Sequence, residues 1–273
     1  MSDIKENSSI KIYCFYYKET KIPISNNIYV PVMAGNKLKS LNENYIGDDT
    51  KKSISEKNDY YSELTGIYWV WKNTFQDIVG SCHYRRYFTA KKYPLLHQFK
   101  AFFLSETWFY KKRTGIIYTR NIDKNRHRIL NEQEILEIMK NYDAILPKKR
   151  IFRYSIKEHY RKYHDLNDLR IVEDVINSKY PDFLESFHDT LNNNWLYVNN
   201  MFILTHIEFN RLMEWLFDIL FEFERRVNTE NYKDYQKRVF GFISERLITV
   251  WFNYQKLNVK ELPIIFFKNL KYS

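Results

Sequence analysis

The 273-residue chain reads as an α/β protein with a mainly parallel central sheet flanked by helices. Three observations point there. Short runs rich in β-branched and aromatic residues recur along the chain, each too short for a helix. Between them lie longer segments whose apolar residues repeat at helical spacing. Only six Gly and six Pro occur, which excludes collagen-like, low-complexity and glycine-rich β-repeat architectures. The length suffices to bury one core, and we read 1–273 as a single domain.

The elements follow in order. Ile10–Tyr17 (IKIYCFYY) is a buried first strand and Tyr29–Gly35 a second short extended piece. A polar loop follows, through GDDT at Gly47–Thr50 and ISEKN at Ile54–Asn58. A helix over Asp59–Phe75, capped by Asn58 or Asp59, aligns Tyr61, Leu64, Tyr68, Trp71 and Phe75 on one stripe. The strand Ile78–Phe88 (IVGSCHYRRYF) starts apolar and ends basic. Residues 90–130 are basic and aromatic without a clean period, and read as an insertion on the functional side. Then come a short helix at Asn131–Asn141, a strand at Asp143–Pro147 and two helical pieces over 154–176. Tyr180–Pro181 breaks the chain before a helix at Asp182–Leu191. Val198–Leu204 (VNNMFIL) reads as a strand. Thr205 and Glu208 form a capping box for a long amphipathic helix, and a last helix covers Phe242–Tyr254. In such parallel sheets a ligand sits beyond the carboxyl ends of the strands.

Composition narrows the partners. A formal charge of +10 with 23 Tyr and 20 Phe suits nucleic acid, an anionic membrane surface or an anionic small molecule. AT-rich coding bias accounts for the same excess equally well. The aromatics fall mostly on core stripes, and no nucleic-acid-binding motif is present. Cys14 and Cys82 are too few for a disulfide framework or a four-thiolate metal site. No leader pattern opens the chain. The most apolar helical stretch is interrupted by Glu214, Asp218 and Glu222. The expectation is a cytoplasmic protein.

HYRR at His83–Arg86 is the most informative local feature. With strand alternation, His83 and Arg85 share one face, and Tyr84 and Arg86 the other. Two guanidinium groups at the end of a dry strand are costly unless they meet an anion, and their forks suit a diphosphate. An exposed strand end paired with Asp or Glu is the equal alternative. No Walker-A loop or GxGxxG occurs, so phosphates would need side-chain cations. Asp48–Asp49 reads as a solvated turn, with a Mg²⁺ or ribose contact as the alternative. Glu63 reads as a helix-dipole partner or a functional acid. Asn199 and Asn200, disfavoured in a strand, imply a hydrogen-bond partner or a ligand. Glu245–Arg246 reads as an exposed ion pair or a functional pair. His164, four after Tyr160, reads first as a packed or exposed histidine.

Several blocks then occur in a fixed order: ISEKNDYYSELTGIYWVWKN (54–73), VGSCHYRRYF (79–88), YDAILP (142–147), YRKYHDLNDL (160–169), NNMFILTHIEF (199–209) and GFISERLITVW (241–251). Together they resemble the bacterial capsular and exopolysaccharide glycosyltransferases long catalogued as a domain of unknown function, over about 10–265. Some members are similar to galactofuranosyltransferases. One departure is GDDT where the family loop runs closer to GDN-IS. The resemblance implies a GT-A-like fold and transfer of galactofuranose or another hexose from a UDP-sugar, by inversion in preference. A non-catalytic nucleotide-sugar binder or a nucleic-acid-binding protein is the alternative. For the transferase, the candidate catalytic set is Glu245, Glu63, Arg85 and Arg86. Donor contacts fall to Asp48, Asn58, Thr65, Lys72, His83, Tyr84, Asn199, Asn200 and Arg246. Tyr160, His164 and Asp168 would line the acceptor side. HYRR stands where GT-A enzymes carry D-x-D, so no essential metal is expected, with Mg²⁺ or Mn²⁺ as the alternative. The acceptor would be a lipid-linked or oligosaccharide glycan, met at the inner face of the plasma membrane. Residues 90–130 would dock there.

Overall fold

Alternation along the first strand sets the layers. In β1 (Ile10–Tyr16), Ile10, Ile12, Cys14 and Tyr16 enter one apolar layer, while Tyr13 and Phe15 enter the other. Both faces are therefore covered, as a sheet clad in helices requires. The computed structural model describes residues 8–38, 43–91, 115–232, 234–268 and 270.

The strands that follow are β2 (Tyr29–Met33), β3 (Ile46–Gly47), β4 (Ile78–His83), β5 (Arg86–Phe88), β6 (Ile116–Thr119), β7 (Ala144–Pro147), β8 (Arg150–Ile151), β9 (Trp195–Leu196), β10 (Phe202–Thr205), β11 (Val259–Leu262) and β12 (Ile264–Phe267). The main sheet runs β11-β7-β10-β4-β1-β2-β3. β1 lies parallel to both β2 and β4, whereas β10 is antiparallel to both β4 and β7. β5 and β12 extend the sheet from β4, and β6 pairs parallel with β12. The small β8–β9 pair stands apart.

The helices are α1 (Asn58–Tyr61), α2 (Leu64–Asn73), α3 (Asp123–Arg126), α4 (Glu132–Met139), α5 (Ile156–Tyr163), α6 (Leu166–Lys179), α7 (Leu184–Asn192), α8 (His206–Arg226) and α9 (Val239–Gln255). The larger apolar layer takes Ile67 and Val70 from α2, Val172 and Ile176 from α6, Leu212 and Leu216 from α8, and Leu247 and Trp251 from α9. The other layer packs Ile135 and Met139 of α4 against Phe88, Ile145 and Ile265. Asn131 caps α4 in a reciprocal box with Glu134, and the Thr205 hydroxyl accepts from the Glu208 N–H at the start of α8.

Three expected elements break where the site lies. The strand over Ile78–Phe88 is two strands joined at Tyr84–Arg85, with His83 opposite Arg86. His83 and Arg85 therefore do not share a face by simple alternation. The helix over Asp59–Phe75 is interrupted at Ser62, whose φ of 53° is left-handed. The Asn58 side-chain amide donates to the Ser62 carbonyl at 2.7 Å, which fixes the interruption. The strand over Val198–Leu204 begins only at Phe202, because Asn199 and Asn200 are both left-handed, at φ 75° and 49°. Of the insertion expected at 90–130, residues 92–114 lie outside the described residues. The remainder contributes β6 and α3.

Candidate active site

A cleft of about 910 Å³ opens beyond the carboxyl ends of β1, β2 and β4, where a doubly wound sheet presents ligands. Tyr16 and Tyr17 reach it from β1, Ala34 from β2, and His83 to Arg86 from the β4–β5 turn. Because β10 runs antiparallel, its amino end meets the carboxyl end of β4, with Phe202 opposite Ser81. The Asn199–Asn200 turn therefore comes to the same rim.

That turn organises two carboxylates. The Asn199 N–H donates to Glu245 Oε1 at 2.6 Å, and Asn200 Nδ2 donates to Glu63 Oε1 at 2.8 Å. Asn200 Oδ1 accepts from the Ser244 hydroxyl at 2.9 Å, and its backbone carbonyl accepts from Ser81 at 2.7 Å. Asn200 is thereby fully engaged and buried. Glu63 enters the cleft because the helix breaks one residue before it. Burial raises the Glu245 carboxyl above its ordinary range, opposed by the Asn199 N–H and the Arg246 charge.

Five arginines face the cleft (Arg85, Arg86, Arg150, Arg238 and Arg246) against three carboxylates, Asp59, Glu63 and Glu245. Neither Arg85 nor Arg86 forms an ion pair among the described residues. Both lie over the Phe266 ring, at 4.8 and 4.9 Å, and Arg85 Nε is buried without a hydrogen-bond partner. Burial and the Arg85 charge lower the Arg86 pKa, while Glu245 and Glu63 act the other way through space. His83 is held well below its usual range by burial, then by Arg86 and Arg85. It is a neutral ring at pH 7. The Tyr84 hydroxyl is pushed up to about 12, chiefly by burial. Arg238 donates to the Ser62 hydroxyl at 2.9 Å and lies 3.8 Å from Glu63. The cleft can hold an anion beside a carboxylate with a raised pKa.

Residues 11–256 match the family described as "Domain of unknown function (DUF4422)". The chain belongs to this family. Among solved structures it is similar to the apo form of WbbM, a bifunctional glycosyltransferase, with a TM-score of 0.82 and 31% identity. The match covers 96% of this chain and 46% of that one, so this chain spans about half the length of WbbM. The DUF4422 fold seen here is GT-A-like, with a central sheet flanked by helices. Curated proteins yield no match.

Within this DUF4422 chain the cleft gathers Asn58, Glu63, His83, Tyr84, Arg85, Arg86, His164, Asn199, Glu245 and Arg246. Other candidates lie elsewhere. Asp48 is fully buried, and its carboxylate accepts from the Gly35 and Asn36 N–H groups and the Ser55 hydroxyl at 2.9, 3.0 and 2.5 Å. It staples a loop from within and is no solvated turn, and it does not line the cleft. Thr65 is buried and bonded to Asn58 and the Ser62 carbonyl. Lys72 does not line the cleft, and its ammonium lies 3.1 Å from the Trp71 ring centre. Tyr160 lies beneath the cleft, donating to Asp168 at 2.7 Å, and Tyr232 donates to the same carboxylate. Glu245–Arg246 is no exposed pair: Arg246 is 4% exposed. Arg150, Arg238 and Tyr235 line the cleft without any sequence signal, since β8 and the 3-10 turn before α9 carry no recognisable motif. Among the described residues, no group of three His, Cys, Asp or Glu side chains converges as a metal site, and no helix is long and apolar enough to cross a membrane.

Proposed function

We propose that this chain is a glycosyltransferase domain that moves a hexose from a UDP-sugar to a growing capsular, exopolysaccharide or O-antigen glycan. The observation that carries the reading is the pair Arg85 and Arg86, facing a cleft at the sheet's carboxyl edge with no ion-pair partner among the described residues. The likeness to a glycosyltransferase fold supports it. As the bond from the anomeric carbon to the diphosphate breaks, its electron pair passes to the departing UDP, which gains negative charge. Arg85 and Arg86 stabilise that charge, and fixed cations aimed at a developing charge are the largest contribution available to an enzyme. His83, neutral, adds a hydrogen bond.

For inversion, the acceptor oxygen attacks the opposite face of the anomeric carbon, and its proton passes to a carboxylate. Glu245 is that base, because one of its oxygens accepts the Asn199 N–H and the other remains for the hydroxyl. Its raised pKa makes the ionised carboxylate a stronger base for that proton. Glu63, anchored by Asn200 and near Arg238, orients the donor sugar. Galactofuranose is the donor sugar most in keeping with the sequence resemblance. We also propose that arginines replace a D-x-D-bound metal. Asp48 supports this, since its oxygens are already occupied by backbone and hydroxyl donors.

The test is a melting curve with UDP, UDP-hexoses or an oligonucleotide, each with and without EDTA, alongside transfer assays. UDP should raise the melting temperature equally with EDTA. Arg85→Ala and Arg86→Ala should each lower turnover by about 10²–10³-fold with the fold intact. Normal turnover in the double variant, or stabilisation by the oligonucleotide alone, overturns the reading.

A further inference from the structure

The cleft holds a buried arginine, Arg246, besides the Arg85–Arg86 pair assigned to the diphosphate. Among the five cleft arginines, Arg246 is the most enclosed. One of its N–H groups donates to the Phe242 carbonyl at 2.5 Å, and its guanidinium lies 4.6 Å above the Tyr160 ring. Its Nε is buried without a partner, and it forms no ion pair among the described residues. A buried guanidinium with an unpartnered N–H and no direct ion pair is costly.

Arg246 sits among aromatic rings of α5, α9 and the turn before α9. His164 packs between Tyr160 and Phe242, at 4.6 and 4.3 Å. Tyr235 packs on Phe242 at 4.9 Å. Tyr163 and Tyr235 line the cleft yet leave 60% of their surface open, unlike rings committed to the core. Glu245, the neighbour of Arg246 in α9, lines the same cleft, and its charge reaches both Arg86 and Arg246 through space. Ligands filling this cleft would set a leaving diphosphate at Arg85 and Arg86 and an acceptor's own negative group at Arg246.

We propose that the acceptor is anionic, a glycan or glycolipid bearing a carboxylate or phosphate that docks on Arg246. The open faces of Tyr163 and Tyr235 receive the apolar face of its sugar ring. This rests on the transferase reading above and specifies its acceptor class. The guanidinium already placed in a dry pocket discriminates strongly, because a neutral acceptor leaves it unpaired.

The experiment begins with UDP titrated by calorimetry. If UDP does not bind, the transferase reading fails and this proposal with it. With UDP saturating, three probes are then titrated: 4-nitrophenyl β-glucoside, 4-nitrophenyl β-glucuronide and farnesyl phosphate in detergent. An anionic probe should bind on the order of 10²-fold tighter than the glucoside. Which one does so separates a sugar carboxylate from a lipid phosphate. Arg246→Gln should erase the preference and leave UDP affinity unchanged. Tyr163→Ala and Tyr235→Ala, at exposed positions, should weaken probe binding even if the Arg246 variant does not fold. UDP binding without anionic preference overturns the proposal. So does an Arg246→Gln protein that loses UDP affinity, which would assign Arg246 to the donor.

Discussion

Burial holds the Glu245 carboxyl above its usual range, and the sign has two effects. The folded protein binds this proton more tightly than the unfolded chain. Ionising Glu245 therefore removes stability as pH rises through the interval between the two pKa values. Catalysis needs the ionised form, so the acid limb of kcat/KM should fall at a pH above the ordinary carboxylate range. Glu245→Gln should lose about 10²–10⁴-fold in turnover while melting at the same or a higher temperature at pH 7. A variant that melts clearly lower would mean the carboxylate is structural. At this scale the sequence was legible where residue type is costly in context: two arginines after a dry strand had to meet something. Asp48 was not legible, because an acidic pair looks alike whether its oxygens face water or backbone N–H groups. Arg150 and Arg238 reach the cleft only through tertiary folding.

The elements that make the site are the ones that depart from regular period. The apolar stripe of Tyr61, Leu64 and Tyr68 continues across the break at Ser62, so period alone sees one helix. The break is made by the Asn58 amide bonded to a backbone carbonyl, a contact that hydrophobic patterning does not encode. Gly35 supports it from the end of β2. Its φ is +70°, and a Cβ there would stand 2.4 Å from Asn58 Cγ. Gly35→Ala should therefore destabilise the protein by about 1–3 kcal/mol, read by urea unfolding. It should also disturb donor binding through Asn58. The left-handed turn at Asn199–Asn200 is linked to Glu63 through one side-chain amide. A double-mutant cycle of Asn200→Ala with Glu63→Gln should show a coupling of about 0.5–3 kcal/mol in kcat/KM. Additive losses would show that Asn200 acts without Glu63.

At the scale of the molecule, alternating short strands and striped helices made the α/β class legible. The antiparallel β10 was not, because strand direction within a sheet leaves no mark on a run as short as Phe202–Thr205. That direction brings the Asn199–Asn200 turn to the rim of the carboxyl ends. A net charge of +10 also predicts salt-sensitive flotation with vesicles rich in anionic lipid, at about 1 kcal/mol per basic residue near the surface. Absence of flotation at low salt would remove peripheral membrane docking. The register of β1 and β4 sets Cys14 beside Cys82, both almost sealed at 0% and 1% exposure. Neither thiol can meet a water-borne alkylating reagent until the apolar layer over those two strands opens. The chain thus carries its own stopwatch for opening of that layer. Because the cleft caps the same two strands, a nucleotide seated there should slow the stopwatch in proportion to its occupancy.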